Sequence, residues 1–137
     1  MTTMNEEVFE PRNDLERQLV AAQEGRISGE QFLQELLLAQ VFMPVRDRIG
    51  IGGFQDSTRA TPLTLTAEDG TQVLVLFTSP ERAKAFVRDF PGYEGGLLTE
   101  LKWILEKVGL GYGISLNPGW PAGLDIEPDM LRELASH

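Results

Sequence analysis

Cysteine is absent from these 137 residues, which removes disulfide staples, thiolate nucleophiles and cysteine-type zinc sites together. Histidine is nearly absent as well. The single one, His137, is the terminal residue, where neither a fixed tautomer nor a fixed position is expected. A serine or threonine nucleophile would therefore need another base, and Lys84, Lys102 and Lys107, the only lysines, are not placed to signal a serine–lysine pairing. No catalytic residues are predicted, and the chain is expected not to be an enzyme. Positive charge is also scarce: twelve basic residues stand against twenty-one acidic ones, a formal charge of -9. The cations are scattered along the chain, so neither nucleic acid nor an anionic membrane surface is an expected partner. No apolar run approaches membrane-spanning length, and Met1–Glu7 lacks both a basic and an apolar leader region. The cytoplasm is the expected compartment.

What is present suits one folded domain. The chain has a common single-domain length, and 42% of its residues are hydrophobic and 24% charged, which is ordinary globular composition. Residues 1–12 are polar, lack apolar periodicity and include Pro11, so they read as a loosely attached arm, with the domain spanning 13–137. Asn13 or Asp14 is placed to cap a helix with Leu15, Leu19 and Ala22 on one stripe, and Gly25 to end it. Ser28 and Gln31 have capping-box spacing ahead of Phe32, Leu33, Leu36 and Leu37. A helical hairpin at the N-terminus follows from these two signals.

Residues 40–45 form a short apolar run that contains Pro44, and since proline cannot donate to a ladder the run reads as an edge strand or a strand end. Residues 46–61 read as loop. Beyond them Pro62–Ala67 alternates with period two, Asp69-Gly70 signals a turn, and residues 72–77 are apolar at successive positions. That is a hairpin whose second strand is covered on both faces. Ser79 then caps a helix, with Pro80 in its first position, Glu81 at the positive end of its dipole and a stripe of Ala83, Phe86, Val87 and Phe90. The spacing of Leu97, Leu98, Leu101, Ile104, Leu105 and Val108 predicts one further helix over 95–108, stopped by Gly109. Residues 113–116 and 123–126 are strand candidates around the turn Asn117-Pro118-Gly119, and Pro128 opens a last helix.

Four groups of residues invite a functional reading. The carboxylates of Asp125, Glu127 and Asp129 are close in sequence, but the spacing is not that of a calcium loop, and acids at the start of a helix suit its dipole better. No metal and no cofactor are expected. Gly50-Ile51-Gly52-Gly53 resembles a phosphate loop in composition only, because no helix follows it. Arg46, Arg48 and Arg59 lie close enough in sequence to recognise a carboxylate ligand. Trp103 falls off the apolar stripe of its predicted helix, among Glu100, Lys102, Glu106 and Lys107; either the N-terminal helices fold over it or it is an exposed interface anchor. Trp120, in the rigid Asn117-Pro118-Gly119-Trp120-Pro121 turn, is either a lid on the sheet or a presented indole.

The Asp69-Gly70 turn, the strand ending Leu76-Phe77-Thr78-Ser79, the Pro80-Glu81 helix start and the later Leu116-Asn117-Pro118-Gly119 resemble the N-terminal domain of the SseB family, named for enhanced serine sensitivity. The likeness extends over roughly residues 13–136. It implies a bacterial cytoplasmic protein without an established catalytic residue set; longer members carry a second, C-terminal domain to which nothing in this sequence corresponds. Taken together, the expected fold is α+β: one domain, a mixed and mostly antiparallel sheet of about five strands, about five flanking helices and an N-terminal helical hairpin. The expected role is that of a non-enzymatic interaction or regulatory module, contacting a protein partner or a second copy of itself through Trp103, Asn117 and Trp120. A sensor of an amino-acid-like metabolite, bound by Arg46, Arg48 and Arg59, is the alternative.

Overall fold

The computed structural model describes residues 10–46, 61–93, 95–109 and 111–135. The chain opens with the expected helical hairpin, α1 (Asp14–Gln23) and α2 (Gly29–Leu38). Asn13 caps the first by accepting from the Glu16 N–H, and Ser28 caps the second by accepting from that of Gln31. Gly25, at φ 80°, makes the left-handed turn between them, a conformation that a side chain would strain.

The strands β1 (Gln40–Arg46), β2 (Thr61–Pro62), β3 (Thr64–Thr66) and β4 (Gln72–Leu76) follow, then α3 (Pro80–Val87). After α3 come β5 (Gly95–Glu100), α4 (Leu101–Val108), β6 (Gly113–Leu116), β7 (Leu124–Ile126) and α5 (Pro128–Ala135). They form two ladders, β2-β1-β5 and β3-β4-β6-β7, in which β4 and β6 are parallel and the other pairs antiparallel. Main-chain bonds join the ladders into one surface. Phe42 and Phe77 exchange bonds of 2.8 and 2.9 Å, while Leu63 donates to the Pro44 carbonyl at 3.0 Å and accepts from Val75 at 3.1 Å. The 61–66 segment thus splits β1 from β4 at one end, and the two strands touch directly at the other.

Side-chain alternation along β4 sorts the core into two layers. Leu74 and Leu76 join α1, α2, α4 and α5 through residues such as Leu19, Leu36, Ile104 and Leu131, whereas Val75 and Phe77 face α3 and pack on Ala83, Val87 and Phe86. On the α3 side, Phe86 stacks on Phe90 at 5.1 Å and tilts against Phe77 at 5.7 Å.

Three expectations are corrected. The helix predicted over 95–108 is a strand followed by a shorter helix. Gly95–Glu100 completes the ladder of β1, with Phe42 opposite Leu98 and Pro44 opposite Gly96, so pairing across the sheet overrides a local helical period. Gly96 fits only as glycine, because a Cβ there would lie 2.3 Å from the Phe42 ring. Pro44, in turn, stands in a central strand, between β2 and β5. Phe42 turns its N–H and C=O toward Phe77, away from β5, and two residues on Pro44 points the same way; the β1–β5 ladder therefore asks no N–H of it. Residues 10–12, assigned to the arm, are held as well, through the Glu10 carbonyl and the Arg12 N–H.

Candidate functional site

The parallel strands β4 and β6 end side by side, and the residues that follow them, Thr78 and Asn117, meet over a buried polar cluster. Asn117 adopts a φ of 57°, which asparagine tolerates better than most residues. Its amide replaces a missing piece of main chain: Oδ1 accepts from the Thr78 N–H at 3.0 Å, and Nδ2 donates to the Thr78 hydroxyl at 3.0 Å and to the Ala122 carbonyl at 3.1 Å. The Thr78 hydroxyl passes the chain on, donating to Glu16 Oε2 at 2.6 Å.

Glu16 reaches this point from the first turn of α1, where the Asn13 cap fixes its backbone. It is fully buried, and so is Arg82 of α3. The guanidinium forms a forked pair with the carboxylate, Nε to Oε2 and Nη2 to Oε1, both at 2.9 Å. The Arg12 N–H gives Oε1 a further bond at 2.8 Å, and Arg82 Nη2 also donates to the Glu10 carbonyl at 2.6 Å. Burial pushes the Glu16 carboxyl up, but the bonds from Arg82, Thr78 and Arg12 outweigh it and hold the group below its ordinary value.

Trp120 closes the cluster. Its Nε1 donates to the Arg82 carbonyl at 2.8 Å, and its ring lies 4.5 Å from the guanidinium carbon. Asn117 and Trp120 are thus brought together, but as structural members: the asparagine is buried and the indole is half-buried as a lid. What this arrangement does chemically is tie α1, the end of β4, α3 and the 117–122 loop together. Sequence reading missed Glu16, Thr78 and Arg82. Only Asn13 and Glu16, at capping-box spacing, left a signal, and in the structure that carboxylate is directed inward to Arg82.

The remaining candidates lie elsewhere. Trp103, on the outer side of α4, keeps 39% of its surface exposed, and the Lys107 ammonium sits 5.6 Å from its ring centre. Arg46 is exposed and its stem runs past Gly92, within 3.5 Å of where a Cβ would stand. Arg48, Arg59 and the Gly50–Gly53 loop fall outside the described residues, as does His137. At the far end of the sheet an open hollow of about 680 Å³ is bordered by Asp69, Asp125, Glu127 and Asp129. Asp69 accepts from the Thr71 N–H within its own turn, a bond that lowers its pKa, and Asp129 pairs with Arg132. Among the described residues no group of His, Cys, Asp or Glu is arranged to hold a metal ion, and no helix is long and apolar enough to cross a membrane.

The family model for the SseB protein N-terminal domain matches residues 15–133. No curated protein matches the chain, and neither does any solved structure.

Proposed function

The chain belongs to the SseB protein N-terminal domain family, and from that premise we propose that it is a non-enzymatic protein-interaction module whose contact surface is the corner where β5 runs into α4. One observation carries the reading. Among the described residues four large apolar side chains are exposed, Leu38 (64%), Leu98 (52%), Met130 (46%) and Trp103 (39%), and three of them belong to the segments that meet at this junction, Leu98 on the α3 side of the sheet and Leu38 and Trp103 on helices of the opposite layer. Leu98 lies in β5, and Trp103 in the first turn of α4 directly after it. Leu38 precedes Ala39, whose carbonyl accepts from the first N–H of α4, that of Leu101, at 3.1 Å.

Scattered exposed leucines are ordinary, but a tryptophan and two leucines exposed on the segments around one strand-to-helix junction are residues of the kind that anchor an interface. The buried cluster supports the non-enzymatic half of the reading. Glu16 and Arg82 are bound to each other, and the Thr78 hydroxyl donates to that same carboxylate, so a base and a nucleophile are both spent on structure. The test is a photo-cross-linking residue in place of Trp103, compared with one in place of Glu68 in the exposed β3–β4 turn, in the producing cell. Adducts to a protein, a second copy included, are expected from position 103 and not from 68; equal yields at both positions would refute the reading.

A further inference from the structure

β5 is the outer strand of the β2-β1-β5 ladder, and no other described residue bonds to its far side. Which of its main-chain groups face outward follows from the pairing on the near side. Phe42 gives both its N–H and its C=O to Phe77, so it turns away from β5, and the direction alternates along a strand. Val41, Met43 and Val45 therefore face β5, opposite Thr99, Leu97 and Gly95. The bond from the Leu101 N–H to the Ala39 carbonyl continues the same alternation. Gly96, Leu98 and Glu100 are left with outward N–H groups.

Sheet edges are normally blunted by lysine, proline or an inward charge. β5, with the sequence Gly-Gly-Leu-Leu-Thr-Glu, has none of these, and its one charge stands at its end. It also exposes Leu98 on the face that carries Phe42.

We infer that β5 pairs antiparallel with β5 of a second copy of this chain, with Leu98 on the two-fold axis. The inference rests on the interaction reading of this corner and names its partner. Leu98 and its copy exchange main-chain hydrogen bonds, and the Glu100 N–H of each chain donates to the Gly96 carbonyl of the other. Of the registers that set outward groups against outward groups, this one engages Glu100 and also opposes the two exposed leucines on the same face, a stabilising cross-strand pair. Each carboxylate falls opposite a glycine, so a chain of net charge -9 meets its copy without like charges facing across the ladder. Self-complementarity in bonding and in the placement of charge is what selects a second copy over an unrelated strand.

Sedimentation velocity over a range of concentrations, with amide exchange read residue by residue, tests this. The expected result is a mass that rises from monomer to dimer, and Leu98 and Glu100 amides whose exchange slows with concentration while that of Leu97, bonded to β1, is slow throughout. Leu98→Lys sets two ammonium groups against each other on the axis, and Leu98→Pro removes an N–H that β1 does not use. Each is expected to weaken dimerisation by about tenfold or more, equivalent to about 1.4 kcal/mol, with the monomer's circular dichroism unchanged. A mass that stays monomeric, or exchange at Leu98 independent of concentration, overturns the inference, and the exchange result decides the matter even where a variant fails to fold. A monomer that still forms an adduct from position 103 with a different protein overturns the self-pairing alone. No adduct from that position overturns the reading beneath it.

Discussion

Replacing Arg82 by methionine keeps an apolar stem in α3 but strips the guanidinium from Glu16, whose carboxylate then retains the Thr78 hydroxyl and the Arg12 N–H. Both partners of this ion pair are buried, so the variant strands a charge away from water. Breaking such a pair on one side costs about 3–5 kcal/mol. Unfolding entropy of about 2.1 cal/mol/K per residue over 137 residues gives about 0.29 kcal/mol/K, so the melting midpoint should fall by roughly 10–17 °C. Adding Glu16→Gln removes the stranded charge, and about half of the loss should return, since an uncharged pair of similar volume is often nearly neutral. The assay is thermal and urea unfolding of the parent, both single variants and the double variant, read as a double-mutant cycle. Arg82→Met costing less than about 1 kcal/mol, or a double variant whose cost is the sum of the singles, would refute the claim that these two groups hold each other in the core.

Acid titration of stability probes the same carboxylate. The Glu16 pKa is lowered on folding from an ordinary 4.5, so its contribution is complete above that value and is lost as the pH falls through the lower folded one; Glu16→Gln should flatten this acid limb of the urea midpoint. Asn117→Ala forces an ordinary side chain to a φ of 57° and strips partners from the Thr78 N–H and the Ala122 carbonyl, which together should cost about 2–4 kcal/mol in chemical denaturation. Asn117→Gly should recover the backbone share alone. Gly96→Ala drives a methyl into the Phe42 ring and should cost about 1–3 kcal/mol, reduced when Phe42→Leu opens the space. Ser79→Ala removes the cap accepted from the Arg82 N–H and should cost about 1 kcal/mol, with the far-ultraviolet spectrum retained.

Local chemistry was legible in the sequence wherever a feature is completed within a few residues. Ser28 and Ser79 cap the helices they precede, Pro80 fills the first turn, and successive apolar residues in β4 face two separate layers. The strand β5 was not legible, because Leu97, Leu101, Ile104 and Leu105 satisfy a helical period whether or not the first of them is helical. What decides it is β1, about fifty residues earlier, whose ladder needs a partner. The polar cluster was hidden for a related reason: an acid in a first helical turn and an arginine on a short helix each look solvated until the fold sets them in contact. The helix-dipole reading of Asp129 suits its place in the first turn of α5. Of the aromatic candidates, Trp103 keeps part of its surface exposed, whereas Trp120 is half-buried with its indole N–H donating to the Arg82 carbonyl, a partner 38 residues away that no local pattern announces.

The burial of Glu16 also has a consequence during synthesis. Its partner Arg82 lies 66 residues further along the chain, and at about 5–20 residues per second a ribosome needs roughly 3–13 s to deliver it. Throughout that interval the helical hairpin carries Leu19, Phe32 and Leu36 beside an unpaired carboxylate. Closing over that charge on a wrong surface would cost several kcal/mol, whereas closing on α3 neutralises it. The pair thus makes docking of the hairpin on α3 more favourable than docking on any surface that leaves the buried carboxylate without a partner.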